Sequence, residues 1–316
     1  MDYPDIYFEP AYAELYKTDD KQVIEYKFEC EYGLITNLFI KRRFGNQLEN
    51  GNQYYEIRTP YGYGGPIIHN FTDADKLIDK YAEDMELYTQ QNNIVKEFIR
   101  FHPIIKNASA FGKMYNIEYN RKTVGTNLAY DDVIGTEFSK HKRKDIKRIL
   151  SNPDIEYVIT ECPNTLDDFL EVYYSTMKRD KASEYYYFKK EYFDKLLKLF
   201  VNNIITCKVT LREKVIAMGV YFRYKRYLHA HLSGTITEYI EYSPAYILKY
   251  AMAIYGKDNG YEIIHYGGGT TTDPDDSLLK FKKDFGKNTV FDFYIAEKIW
   301  NQEVYFKLNE EERWVD

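Results

Sequence analysis

The sequence predicts an α/β (α+β) protein of two similar halves, each a mixed, mostly antiparallel sheet flanked by helices. Three observations carry this. The chain has 316 residues, and domains cluster near about 150 residues, so two domains are the natural count. Apolar residues recur with period two in some stretches and with the helical period in others. The order of elements in the first half, namely hairpin, strand, helix, strand and further strands, returns in the second. The division is expected near Ser151-Asn152-Pro153, giving domains 1–150 and 151–316.

Residues 22–43 read as a hairpin with Tyr32-Gly33 near its turn. Residues 53–58 form a third strand and run into a glycine-rich loop, TPYGYGGP at 59–66. Residues 72–92 read as a helix. Thr72 or Asp73 caps it, and Leu77, Ile78, Tyr81, Met85 and Leu87 or Tyr88 make its apolar stripe. A strand at 94–101 stops at His102-Pro103, strands fit 109–119 and 122–130, and a helix covers 131–151.

The second half begins with a strand at 155–161 and helices at 165–181 and 188–202. Ile205, Cys207, Val209 and Leu211 alternate with Thr206, Lys208 and Thr210, the pattern of a half-buried strand. A turn at Arg212-Glu213-Lys214 leads to strands 215–223 and 226–233. The helix at 244–258 has Ser243 as N-cap and Pro244 at its first position. Its stripe is Ile247, Leu248, Ala251, Met252 and Tyr255, and Asn259-Gly260 stops it. A strand at 261–266 ends in three glycines. Asp275 or Asp276 then caps a short helix with Leu278, Phe281 and Phe285 on its apolar face, and Gly286 ends it. The last strand covers 288–295, and the tail EEERWVD either packs onto the first half or stays loose.

Composition narrows the function classes. Hydrophobic residues at 44% and charged residues at 29% are ordinary for a globular protein. The 34 tyrosines suit half-buried strands and polar ligand clefts, and equally reflect a composition rich in Lys, Ile, Asn and Tyr. A net charge of −6 supplies no global basic field for DNA or anionic membrane. Cys30, Cys162 and Cys207 are odd in number and far apart, which fits reduced thiols in the cytoplasm and no zinc site or disulfide frame. The first residues, MDYPDIYFEP, do not read as a signal peptide, and no apolar run is long enough for membrane insertion.

Five segments are candidates for chemistry. In TPYGYGGP, glycines allow close backbone approach and Tyr61 and Tyr63 flank it; the same loop also reads as a tight connection. In HYGGGTTTD at 265–273, a strand ends where ligands of α/β sheets bind. Gly267, Gly268 and Gly269 offer N–H groups for an oxyanion, and His265, or a water chain to Asp273, accepts a proton. His229, His231 and Ser233 share one face of their strand with Tyr227 and line a polar cleft. On the helix KHKRKDIKR at 140–148, Arg143, Lys144 and Lys147 join Lys140 and Arg148 in a basic stripe able to hold phosphates, or a plain solvated face. Lys282, nearer the apolar side of its helix than Lys280 or Lys283, reaches toward the glycine loop. No metal site is expected: His229 and His231 have no acidic or cysteine partner at a ligand spacing. Walker A, HExxH, GxSxG and strand-linked GxGxxG patterns are missing, which lowers the kinase, zinc-protease, serine-hydrolase and dehydrogenase readings.

The TPYGYGGP segment, the basic RKDIKR helix and the HYGGG…DDSLLKFKKDFG segment resemble the FemAB-like branch of the GNAT superfamily. The resemblance covers nearly the whole chain and implies two tandem GNAT-like domains, the second carrying most of the active site. It implies transfer of an acyl or aminoacyl group onto an amine. It also implies that Tyr61 and Tyr63 line the substrate cleft, with Gly267, Gly268, Gly269 and Lys282 near the reacting groups. The expected reaction moves an acyl group from acyl-coenzyme A or a similar thioester to an amino sugar or cell-envelope precursor, without metal. The alternative donor is aminoacyl-tRNA, and a non-catalytic ligand-binding role is the third reading. One stretch departs from coenzyme A-using relatives: TITEYIEYSPA at 235–245 has no glycine and two glutamates where they carry a glycine-rich turn.

Overall fold

The computed structural model describes residues 1–47 and 51–312. These residues form two units, Met1–Asn120 with Asp292–Asp316, and Arg121–Phe291. The expected division near residue 150 falls inside the second unit. The reason is that the basic helix packs on the helices and strands that follow it, and the last strand carries the chain back to the first unit.

The first unit opens with a short helix α1 (Pro10–Glu14). Alternating residues then build the hairpin of β1 (Lys21–Cys30) and β2 (Gly33–Arg43), paired from Lys21↔Arg42 to Cys30↔Gly33. The unit continues through β3 (Tyr55–Arg58), β4 (Ile67–Phe71), α2 (Ala74–Gln91) and β5 (Ile94–Arg100). The chain leaves it along β6 (Ile117–Asn127). β3 and β4 each pair antiparallel with β2, while β3 and β5 pair in parallel, with α2 as the crossover. Asp73 caps α2 by accepting the Lys76 N–H at 3.1 Å. Leu77, Ile78, Tyr81 and Met85 of α2 bury the predicted stripe against Ile35, Phe39, Ile57 and Ile99.

The second unit holds α3 (Val133–Glu137), α4 (Lys140–Leu150), β7 (Ile155–Glu161), α5 (Asp167–Arg179) and α6 (Lys190–Phe200). β8 (Ile204–Leu211), β9 (Lys214–Tyr224) and β10 (Tyr227–Thr235) follow, then α7 (Pro244–Asp258), β11 (Ile263–Gly267) and α8 (Ser277–Lys283). Strands β7 to β10 form an antiparallel meander, β10 and β11 pair in parallel, and β11 pairs antiparallel with β6. One sheet face carries Ile205, Cys207, Val209, Leu228 and Ile264 against Ile247, Leu248, Ala251 and Met252 of α7. The chain returns along β12 (Val290–Ile299), which pairs antiparallel with β5, and ends in α9 (Gln302–Glu312). Each unit is therefore a mixed, mostly antiparallel sheet with one parallel pair bridged by a crossover helix, as the repeated order of elements predicts.

Three local expectations differ. The helix expected over 131–151 is two, because Phe138 is extended and the Ser139 N–H donates to Asp284 O at 2.8 Å. The strand expected at 109–119 begins as a 3-10 turn over Asn107–Phe111, after Lys106 in the left-handed region, and β6 is the single strand of that stretch. Ser243 precedes α7 at φ 49° and makes no side-chain cap. Of the tail EEERWVD, residues 313–316 lie outside the described residues.

Candidate active site

Strands β10 and β11 run side by side for three rungs only, Tyr227↔Ile263, Leu228↔Ile264 and His229↔His265. Beyond His229, β10 continues to Thr235 while β11 ends at Gly267. The last rung therefore marks a sheet position where two parallel strands stop pairing at their carboxyl ends, a favoured place for ligands. His229 and His265 occupy that rung. Both are buried, at 1% and 2% exposure, and their rings meet edge-to-face at 5.9 Å. Alternation explains their direction: Leu228, Ile264 and Tyr266 serve the α7 side, so the histidines face the other way.

Thr123 of β6 holds His265, its Oγ1 lying 2.9 Å from Nε2. Phe291 packs against the same ring at 5.8 Å. His231 is the extra residue of a bulge in the β9–β10 ladder, between the paired Ala230 and Leu232. Its Nε2 meets Tyr192 Oη of α6 at 2.7 Å, and its ring lies 4.6 Å from Phe222. Burial, reinforced by His229, pushes its imidazolium down to about 3, so His231 is neutral at physiological pH. Ser233, two residues on, is exposed.

The glycine loop is organised by a carboxylate. Asp276 is buried, and its Oδ2 accepts from Thr270 N at 3.0 Å, Thr270 Oγ1 at 2.6 Å, Thr271 N at 3.0 Å and Thr271 Oγ1 at 3.1 Å. Its Oδ1 caps α8 through Leu279 N at 2.9 Å. Burial works against the charge, but these hydrogen bonds outweigh it and hold Asp276 well below the usual carboxylate range. Gly269 must be glycine here, because a Cβ would lie 2.3 Å from Asp276 Oδ1. Asp273 is exposed, and its carboxylate accepts Asp275 N at 2.8 Å, which gives it a turn-forming position; Asp276 is the buried acid of the loop.

Cations close over the loop carbonyls. Lys282 Nζ donates to Gly268 O at 2.5 Å, and Arg121 Nη1 donates to Gly269 O at 3.1 Å. Gly267 pairs with Val124 across a bulge. Lys282 is partly exposed along its stem, but its amine is enclosed. Burial, helped by Arg121 and opposed by Asp276, brings it down to about 8. Lys249 on α7, which sequence reasoning missed, is buried too. Its Nζ sits 3.9 Å from the Tyr266 ring centre, and burial and then Lys282 bring it down to about 7. Tyr266 Oη meets Thr126 Oγ1 at 2.7 Å, and Thr126 donates to Phe285 O at 2.6 Å, so the tyrosine is the donor of that pair.

The remaining candidates lie elsewhere. Arg143, Lys144 and Lys147 are exposed on α4. Tyr61 and Tyr63 belong to the first unit, on the loop between β3 and β4. Tyr63 is buried against Tyr7, His102 and Phe293, with each ring centre 5.3 Å away. The Tyr61 carbonyl accepts from Tyr12 Oη at 2.9 Å. Gly62 adopts φ +92°, where a Cβ would meet Tyr7 Cε1 at 2.5 Å. Asn107 Nδ2 fastens the loop through Gly64 O at 2.9 Å and Pro66 O at 3.0 Å.

Residues 137–283 match the acetyltransferase (GNAT) domain model. Among solved structures, FemX is similar at a TM-score of 0.70 and 12% identity, over 96% of this chain and 94% of that one. The C-terminal DUF2156 domain assigned to a lysylphosphatidylglycerol synthetase of Agrobacterium fabrum is similar at 0.60 and 13%, over 93% and 88%. A tandem GNAT protein from the clavulanic acid biosynthesis pathway is similar at 0.52 and 8%, over 89% and 84%. No curated protein matches the chain. Among the described residues, no helix is long and apolar enough to cross a membrane. The domain match and the shared fold agree with the geometry at the end of β10 and β11: residues 137–283 form an acetyltransferase (GNAT) domain, and the chain as a whole has the fold seen in FemX and in a tandem GNAT protein.

Proposed function

We propose that this chain moves an acyl group from an activated donor to an amine on a cell-envelope precursor, at the carboxyl ends of β10 and β11. The observation that carries the reading is the last rung, His229↔His265, followed by a loop whose Gly268 carbonyl is held by the Lys282 amine. The acceptor nitrogen attacks the donor carbonyl carbon, forming the C–N bond and an oxyanion. Lys282, protonated below about 8, faces that oxyanion together with N–H groups of Gly267 to Gly269. His265, oriented by Thr123, takes the amine proton. Collapse of the intermediate breaks the bond to the leaving group, which departs as a thiolate or alkoxide and receives that proton. His229, His231 and Ser233 line the donor side.

The donor class has two readings. A thioester such as acyl-coenzyme A is the first. The second, an aminoacyl ester of tRNA, is favoured by the turn before α7. Pro244 offers no N–H, and the Tyr246 N–H is spent on Ser243 O at 3.0 Å, which leaves a poor seat for a diphosphate. The fold shared with a lysylphosphatidylglycerol synthetase domain, an aminoacyl-lipid enzyme by its name, points the same way. The test offers acetyl-coenzyme A or charged tRNA with amino-sugar acceptors and reads N-acylated product by mass spectrometry. His265→Ala should cut turnover roughly 10²-fold. Full activity of that variant removes His265 as base, and no product from either donor overturns the proposal.

A further inference from the structure

Among the described residues, helix α4 leaves four cations without a counter-ion. Its own Asp145 pairs with Arg148 at 3.8 Å, and Asp284 beside it is shared by His141 at 3.4 Å and Lys142 at 3.8 Å. Among the described residues, Lys140, Arg143, Lys144 and Lys147 form no ion pair. In a protein of net charge −6, such cations are conspicuous.

Arg143 and Lys147, one helical turn apart, line a cavity of about 330 Å³ between α4 and α7. Its floor is apolar, made by Ile134, Ile146 and Leu150, and Tyr250 of α7 forms an aromatic wall. Tyr157 props that ring edge-on, at 6.5 Å and 84°. Two cations alone would suit any anion. An anion carrying a flat apolar body suits the whole cavity, because the body covers the floor and stacks on Tyr250 while the anion meets the cations. The volume is at the small end of ligand pockets, which fits one nucleotide and is short for an extended acyl chain.

We propose that the cavity between α4 and α7 binds a nucleoside phosphate, its phosphate on Arg143 and Lys147 and its base against Tyr250. A free nucleotide and the terminal nucleotide of an RNA present the same chemistry. The inference does not rest on the acyl-transfer reading, because its test measures binding alone.

Calorimetry at fixed salt compares ADP, inorganic pyrophosphate and a single-stranded RNA trinucleotide on the full chain. ADP is expected to bind at least about tenfold tighter than pyrophosphate, the gain coming from stacking. Arg143→Ala with Lys147→Ala, both exposed and so harmless to folding, is expected to weaken ADP about tenfold or more. Tyr250→Leu is expected to weaken ADP while leaving pyrophosphate unchanged. RNA tighter than ADP, with the same sensitivity to the variants, makes an RNA end the source, and the reverse order makes it a free nucleotide. The proposal fails if ADP gains nothing over pyrophosphate, if the double variant binds ADP as well as the parent, or if no probe binds saturably at millimolar concentration.

Discussion

The Lys249 amine lies 3.9 Å from the centre of the Tyr266 ring, on a residue only 7% exposed. Tyr266 is the penultimate residue of the strand that carries His265, and the carbonyl two residues on, that of Gly268, is held by Lys282. Two lysines thus approach the end of β11, Lys249 through Tyr266 and Lys282 through Gly268. The ring face attracts the ammonium, but it replaces only part of the hydration lost on burial.

That cost sets a pH dependence. An unfolded lysine keeps its proton to about 10.5, whereas folded Lys249 releases it near 7. Between those values the unfolded chain binds more protons, so stability rises with pH across the window. Lys282, brought down to about 8, acts in the same direction. Lys249→Met keeps the packed stem and removes the charge. Measured by denaturant unfolding, it should exceed the parent by at least about 1 kcal/mol near pH 6.5, and the gap should shrink steadily toward pH 10. A gap constant with pH would show that Lys249 does not titrate there.

Asp276 has the opposite sign. Its folded value lies below the ordinary 3.8, so it contributes stability at neutral pH that is lost as pH falls below that value. Asp276→Ala removes the acceptor of the Thr270 and Thr271 groups and the cap of α8. It should cost about 2–4 kcal/mol at pH 7. Unfolding curves from pH 3 to 7 should show the difference between parent and variant narrowing toward the acid end. Equal stability of the two proteins at pH 7 would mean that the loop holds itself without Asp276.

Much of this fold was legible because it is local. The stripe of α2, the alternation of β8 and the Asp276 cap each depend on residues a few positions apart, and the structure keeps all of them. What sequence missed is set by distant partners. The break at Ser139 exists because Asp284, far along the chain, accepts its N–H. The turn at Asn107 exists because its side chain is needed at Gly64 and Pro66. The candidate site was half legible. His229, His265, Gly267 to Gly269 and Lys282 are named by residue type at a strand end, but the rung that aligns the histidines is a pairing register that periodicity does not contain. Lys249 sits between Leu248 and Tyr250 and looks like an exposed helix position until α7 is known to be enclosed. Asp273 and Asp276 look alike in sequence, and only the threonine hydrogen bonds separate the exposed acid from the buried one.

The first unit holds a buried acid of its own, and one tryptophan reports on it. Glu97 is 2% exposed. It accepts from Tyr115 Oη at 3.2 Å, Asn37 Nδ2 at 3.3 Å and Trp300 Nε1 at 3.1 Å. Burial pushes its carboxyl up to about 7, against the pull of these donors and of Lys298. An unfolded glutamate has already lost its proton near 4.5, so the folded chain binds the extra proton between that value and about 7. Stability from this group is therefore lost as pH rises through 7. The sequence has two tryptophans, and Trp314→Phe leaves Trp300 alone. In that background, Trp300 fluorescence should titrate with a midpoint near 7, as its N–H partner changes between carboxyl and carboxylate. Adding Glu97→Gln should flatten the curve between pH 5 and 9. A parent curve already flat over that range would mean that Glu97 stays in one protonation state, and its donors would then outweigh its burial.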